Sequence, residues 1–159
     1  MSRHLSPYTG TLAQCMLNYQ FVEECLRFCL YRCQTVIKFR LVGIQPYEIQ
    51  LKQIDDAALG RLIELFKPMT DNEALIRQLR LIKNHRDLCA HQGFFLTEQK
   101  QQEQAENEGE LDAFLSEAEK CQQMLSEEMD LIAERLEQEF QRLKKQQALP
   151  DIEIVPPLL

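Results

Sequence analysis

From Thr11 to Arg40 apolar residues return every three or four positions: Leu12, Cys15, Tyr19, Val22, Leu26, Cys29, Cys33, Val36 and Ile37. That period marks one stripe of an α-helix, so the spacing predicts a first long helix over about 11–40. Gly43 and Pro46 then interrupt the pattern. Residues 41–54 read as a loop or short extended piece anchored by Leu41, Ile44, Ile49 and Leu51. Asp55 and Asp56 carry carboxylates suited to a helix N-terminus. They predict a short second helix that turns Leu59, Leu62, Ile63 and Phe66 inward and stops before Pro68. Thr70 and Glu73 have the spacing of a capping box, predicting a third helix over about 72–92 with Gly93 as its stop.

Residues 98–110 lack apolar side chains apart from Ala105 and read as a solvated connection. A last helix is predicted over about 110–147. Its apolar positions Leu111, Leu115, Ala118, Leu125, Met129, Ile132, Leu136 and Leu143 step by threes and fours, with Gln122 and Glu139 interrupting. The expected fold is all-α, an antiparallel bundle of about four helices with a long C-terminal helix. Residues 1–147 would form one helical domain, and 148–159 an extended, proline-bearing tail.

Composition supports helices. Among 159 residues there are five glycines, six prolines and no tryptophan. No apolar run approaches the roughly 20 residues needed to span a bilayer. The first residues lack a signal-peptide core. The expectation is therefore a cytoplasmic protein without a membrane partner. The six cysteines fit as free thiols. Cys25, Cys29 and Cys33 fall on one helical stripe, a poor framework for disulfides, and cannot close a tetrahedral metal site without a fourth ligand. A core role is expected for them, with no metal and no cofactor.

The net charge of −7 hides an asymmetry. Residues 1–97 carry 12 basic and 9 acidic side chains, residues 98–139 carry 3 and 14, and residues 140–159 carry 3 and 2. An acidic total argues against high-affinity, non-specific nucleic-acid binding, while leaving room for a few phosphate contacts at one basic spot.

The candidate chemistry lies in Leu81–Gly93. On an ideal helix Leu75, Leu79, Ile82 and Cys89 face a core. Arg80, Asn84, Asp87 and His91 line the opposite side, with Arg77 beside them. Asp87 and His91 stand at i, i+4 and are expected to hydrogen-bond, which would fix the imidazole tautomer and raise its pKa. Arg86 falls awkwardly along the apolar stripe, where an unpaired charge is costly. Three resolutions are open: an acid such as Glu23 or Glu24 on the first helix, a helix end or bend near the motif, or a cleft or second subunit. A guanidinium that binds phosphate and an imidazole that moves protons together suit phosphodiester cleavage. In RNA the 2′-hydroxyl is an internal nucleophile, so no metal is required.

The run Arg86-Asp87-Leu88-Cys89-Ala90-His91 resembles the Arg–four-to-six–His signature of the HEPN superfamily, in which the residue after the arginine is often Asn, Asp or His. Ala58-Leu59-Gly60-Arg61-Leu62-Ile63 is similar to the Leu-Gly-x-Leu-Ile element found before that motif, and the acidic, leucine-patterned last helix is similar too. The resemblance implies an all-α homodimer with two motifs facing one cleft. It also implies metal-independent endoribonuclease activity of a toxin–antitoxin or phage-defence kind, acting on RNA and held by a protein antitoxin or regulator. Arg86 would polarise the scissile phosphate, His91 would act as general acid or base, and Asp87 would orient the site. Asn84 and Arg80 would support it, and Arg77 and Lys83 would add charge for RNA. Gly93 stands where related toxins often carry a tyrosine, so control by modifying that tyrosine is not expected. The family also holds members without chemistry, so a binding module built on the Leu111–Leu143 seam is the alternative.

Overall fold

The computed structural model describes residues 7–92 and 108–146, and every described element is helical. Helix α1 spans Pro7–Arg40, α2 Leu51–Asp55, α3 Leu59–Phe66, α4 Glu73–Gln92 and α5 Glu108–Lys145, with a 3₁₀ turn at Lys67–Met69 between α3 and α4. The expected all-α bundle with a long last helix is what forms. Gly93, residues 93–107 of the connection and the tail from 147 onward lie outside the described residues.

The long helices sit where their apolar stripes predict. Helix α1 begins four residues earlier than Thr11, with Pro7 at its first position, where a missing N–H is harmless. It ends with Lys38 and Arg40 in its last turn, cations that suit the negative end of the helix dipole. Gly43, at φ +79°, then turns the chain in a conformation that L side chains rarely adopt.

Three local expectations are corrected. Residues 41–54 contain α2 rather than only loop. Asp55 and Asp56 stand at the C-terminal end of α2, and α3 starts after Ala58 with no side-chain cap. The complete burial of Leu59, Leu62, Ile63 and Phe66 sets the register of α3, and the Tyr31 hydroxyl donates to Asp55. At the start of α4 the reciprocal Thr70–Glu73 box does not form. Asn72 is the cap, its Oδ1 accepting the Leu75 N–H at 3.0 Å, while Glu73 pairs with Arg77. Thr70 is diverted because its hydroxyl donates to Glu128 of α5 at 2.7 Å.

Residue pairings give the directions. Cys15 meets Leu111 and Arg142 meets Phe39, so α1 and α5 run side by side in the same direction. Helix α4 runs against both: Tyr19 meets Cys89 and Glu23 meets Arg86 on one side, and Gln78 meets Glu117 on the other. One apolar cluster joins α1, α3, α4 and α5. The α5 seam adds Cys121 and two acids to the predicted apolar positions, with Glu128 only 3% exposed and Glu139 5%. Each acid is matched. Glu128 accepts from Thr70 and the Asn72 amide, and Glu139 is held by Arg40 and Arg142. A buried carboxylate survives only when paired in this way.

Candidate polar site on α4

Helix α4 stands against α1 and α3 on one side and α5 on the other. Its apolar residues Leu75, Leu79, Ile82 and Cys89 are buried, as the pattern predicts. The polar residues flank that stripe. Arg80 reaches Glu64 on α3 at 3.0 Å, Arg77 pairs with Glu73 at 3.6 Å, and Asn84 is exposed. The stem of Lys83 crosses α3 at Gly60, where a Cβ would lie 3.1 Å from its Cε. Its ammonium reaches Asp87 Oδ2 at 2.8 Å.

Arg86 takes the first of the three resolutions open to it. Its side chain is 24% exposed, and Nη1 donates to Glu23 Oε2 at 3.3 Å. Asp87 Oδ1 accepts from Nη2 at 2.9 Å and from Nε at 3.2 Å. Three of five guanidinium N–H donors are thereby committed, leaving two without a partner among the described residues. Glu23 also takes Arg27 Nη2 at 2.6 Å, and Arg27 donates to Glu24 and to the Ala57 carbonyl. The result is a chain of alternating charge, Lys83–Asp87–Arg86–Glu23–Arg27, across the α1–α4 contact. The hydrogen bond from Lys83, then Arg86, hold the Asp87 carboxyl below its ordinary pKa despite some desolvation.

The expected Asp87–His91 hydrogen bond is absent. Both Asp87 oxygens are taken instead by the Lys83 and Arg86 cations, and charge-assisted bonds of that kind are the stronger ones. His91 lies exposed in the last turn of α4. On a continuous helix, five residues separate Arg86 and His91 by about 7.5 Å of rise and about 140° of rotation, so within one chain the two side chains diverge.

The histidine the fold engages is His85, which the sequence pattern left unassigned. Its ring stacks on Phe114 of α5, with centroids 3.9 Å apart and planes 12° from parallel. Nδ1 is buried and has no hydrogen-bond partner among the described residues. Burial pushes the imidazole pKa down, against the opposing pull of Glu117 and Glu110. The signal was present, since Ile82, His85 and Cys89 are spaced by three and four, the period of the buried stripe. Beneath them the Tyr19 hydroxyl lies 3.9 Å from Cys89 Sγ, and burial pushes that hydroxyl far above its ordinary pKa.

All six thiols are free. Among the described residues no group of three or more His, Cys, Asp or Glu is placed to hold a metal ion, and no helix is long and apolar enough to cross a membrane. Chemically, the site offers a pre-oriented guanidinium with two spare donors and an accessible imidazole one turn beyond it. No family model, curated protein or solved structure matches the chain.

Proposed function

We propose that this chain is a HEPN-like domain that cleaves RNA without a metal and does so as a homodimer. The observation that carries the reading is the state of Arg86. Its guanidinium is held in place by Asp87 and Glu23, is partly exposed, and keeps two donors free for phosphate oxygens. Because His91 points away from Arg86 of its own chain, the arginine of one copy would work with the histidine of another. Arg86 would bind and polarise the scissile phosphate, His91 would move the proton, and Asp87 would hold the guanidinium. Arg77, Arg80 and Lys83 are engaged in partly or fully exposed ion pairs, which are weak enough for RNA phosphates to displace. A protein antitoxin or regulator belongs to this reading.

One observation favours a second reading. Glu23 and Asp87 neutralise Arg86 before any phosphate arrives, as they would in a domain that only binds a protein partner.

The deciding experiment is cleavage of a labelled single-stranded RNA by wild type and His91→Ala in EDTA, with light scattering on both. Cleavage by a wild-type dimer and loss of it in a folded His91→Ala protein supports the ribonuclease. A clean monomer at high micromolar concentration, or cleavage that EDTA abolishes and a divalent ion restores, overturns the mechanism. Absence of cleavage by either protein favours the binding module.

A further inference from the structure

Of the described glycines, Gly10, Gly43 and Gly109 have open space where a Cβ would stand, and Gly60 alone does not. Gly60 is the second residue of α3, where glycine is less favourable than alanine and a helical backbone calls for no special conformation. What calls for glycine here is room. A Cβ would lie 3.1 Å from Cε and 3.6 Å from Cδ of Lys83, so the lysine stem crosses α3 through space that a side chain would fill. One turn away, Arg80 of α4 meets Glu64 of α3 at 3.0 Å. The two helices therefore run antiparallel in a register that brings Lys83 to Gly60.

The stem delivers the Lys83 ammonium to Asp87 Oδ2 at 2.8 Å. Oδ1 is left turned to Arg86, where it accepts from Nη2 at 2.9 Å and from Nε at 3.2 Å. Arg86 and Asp87 are sequence neighbours, and side chains one residue apart on a helix point about 100° away from each other. A contact between them needs one of the two to be held from elsewhere. Lys83, one turn back from Asp87, supplies that hold, and its own stem is confined by α3. The hydrogen bond from Lys83 does more than the one from Arg86 to keep the Asp87 carboxyl below its ordinary pKa. Glu23 of α1 secures the far side of the guanidinium through Nη1 at 3.3 Å.

We propose that Gly60 is a positioning residue for Arg86. The gap it leaves fixes where Lys83 grips Asp87, and Asp87 in turn fixes where the guanidinium presents its spare donors. A larger residue at position 60 pushes the lysine stem off α3, frees the Asp87 carboxylate to turn and lets Arg86 swing. The positioning is a property of the fold, whereas its consequence for catalysis rests on the ribonuclease reading.

Gly60→Ala and the larger Gly60→Leu, made in the full chain, test this together with Lys83→Met, which keeps the stem and removes the ammonium. Two NMR readouts need no RNA: solvent exchange of the Arg86 Nε–H, and the titration of the Asp87 carboxyl. Exchange is expected to accelerate several-fold, and the Asp87 titration to move up toward its ordinary range, more in Gly60→Leu than in Gly60→Ala. Lys83→Met should match the larger effect. Circular dichroism checks that each variant folds; if Gly60→Leu does not, the other two variants decide. Alanine favours a helix over glycine, so Gly60 variants that change stability alone, with Arg86 and Asp87 unmoved, overturn the proposal. An Arg86 signal unmoved in Lys83→Met overturns it too, because Lys83 would not be the link. If the wild type cleaves single-stranded RNA, the Gly60 variants should lose kcat several-fold with KM little changed. A wild type that does not cleave removes the ribonuclease reading, and the NMR result then decides the positioning by itself.

Discussion

Arg86 of α4 and Glu23 of α1 meet at 3.3 Å across the helix interface, and each is also bonded to a residue of its own helix, Asp87 and Arg27. Both side chains are about three-quarters buried. Removing one partner leaves the other, largely buried, with only the ion pair on its own helix, whereas removing both leaves neither charge behind. Arg86→Ala and Glu23→Ala are each expected to destabilise more than half as much as the double variant. The coupling in a urea-denaturation cycle should be about 0.5–1.5 kcal/mol. A coupling of zero would mean that the pair is incidental.

His85 and Asp87, two residues apart, make stability fall with acid in different windows. Burial lowers the pKa of His85 in the fold, so below its ordinary value of 6.5 the unfolded chain takes up a proton that the fold resists. Stability is then full above about pH 6.5 and declines as pH falls toward the folded pKa. His85→Phe, which keeps the stack on Phe114 and removes the orphaned Nδ1, should flatten this part of the profile. Asp87 is also lowered, but as an acid. Its contribution is present above about 3.8 and is lost as pH drops through its folded pKa. Asp87→Asn should lower stability everywhere above about pH 3.8 and remove that acid limb, while leaving the His85 window in place. Thermal melts from pH 3 to pH 8 distinguish the two.

Glu128 of α5 fixes the start of α4 by accepting from Thr70 and Asn72 at once. Glu128→Ala should cost about 1–3 kcal/mol, because two donors lose a buried acceptor. Glu128→Gln keeps the shape and one acceptor and should cost less. Chemical denaturation of the three proteins tests the order.

The thiols should be slow to react in the fold. Burial pushes Cys15 and Cys33 up to about 11 and, with Cys25 nearby, Cys121 up to about 12. The thiolate is the reactive form, so at pH 8 little is present. Titration with a disulfide reagent should label half-buried Cys25 first in the native protein and all six thiols in denaturant. Rapid native labelling of Cys29 would contradict this packing.

The elements whose apolar stripes run for several turns were legible from the chain alone. Leu12 to Cys33, Leu59 to Phe66 and Leu75 to Ile82 all face the core as spaced. What depended on a partner far along the chain was not. Thr70 looked like a cap, but Glu128, 58 residues away, takes its hydroxyl. Asp87 looked like a partner for His91, but Lys83 and Arg86 hold it, and no periodicity ranks three neighbours competing for one carboxylate. The ambiguity of Arg86 was itself readable, and Glu23 was among the acids that could answer it. His85 gives no functional signal in the chain, because its spacing places it with Ile82 and Cys89 on the apolar face and its stacking partner Phe114 lies on another helix.

The pairing of α1 with α5 has a kinetic side. The most extensive helix–helix contact in the bundle joins segments about a hundred residues apart, whereas α3 and α4 are near neighbours. Closing so long a loop is entropically unfavourable until the contacts it brings are made. The α3–α4 region is therefore the natural place for folding to start, with α1 and α5 zipping together late. Arg142→Ala, which removes the bond from α5 to the Phe39 carbonyl of α1, should then mainly accelerate unfolding in stopped-flow experiments, while Leu62→Ala in α3 should mainly slow folding. Equal effects on both rates would place the two events together.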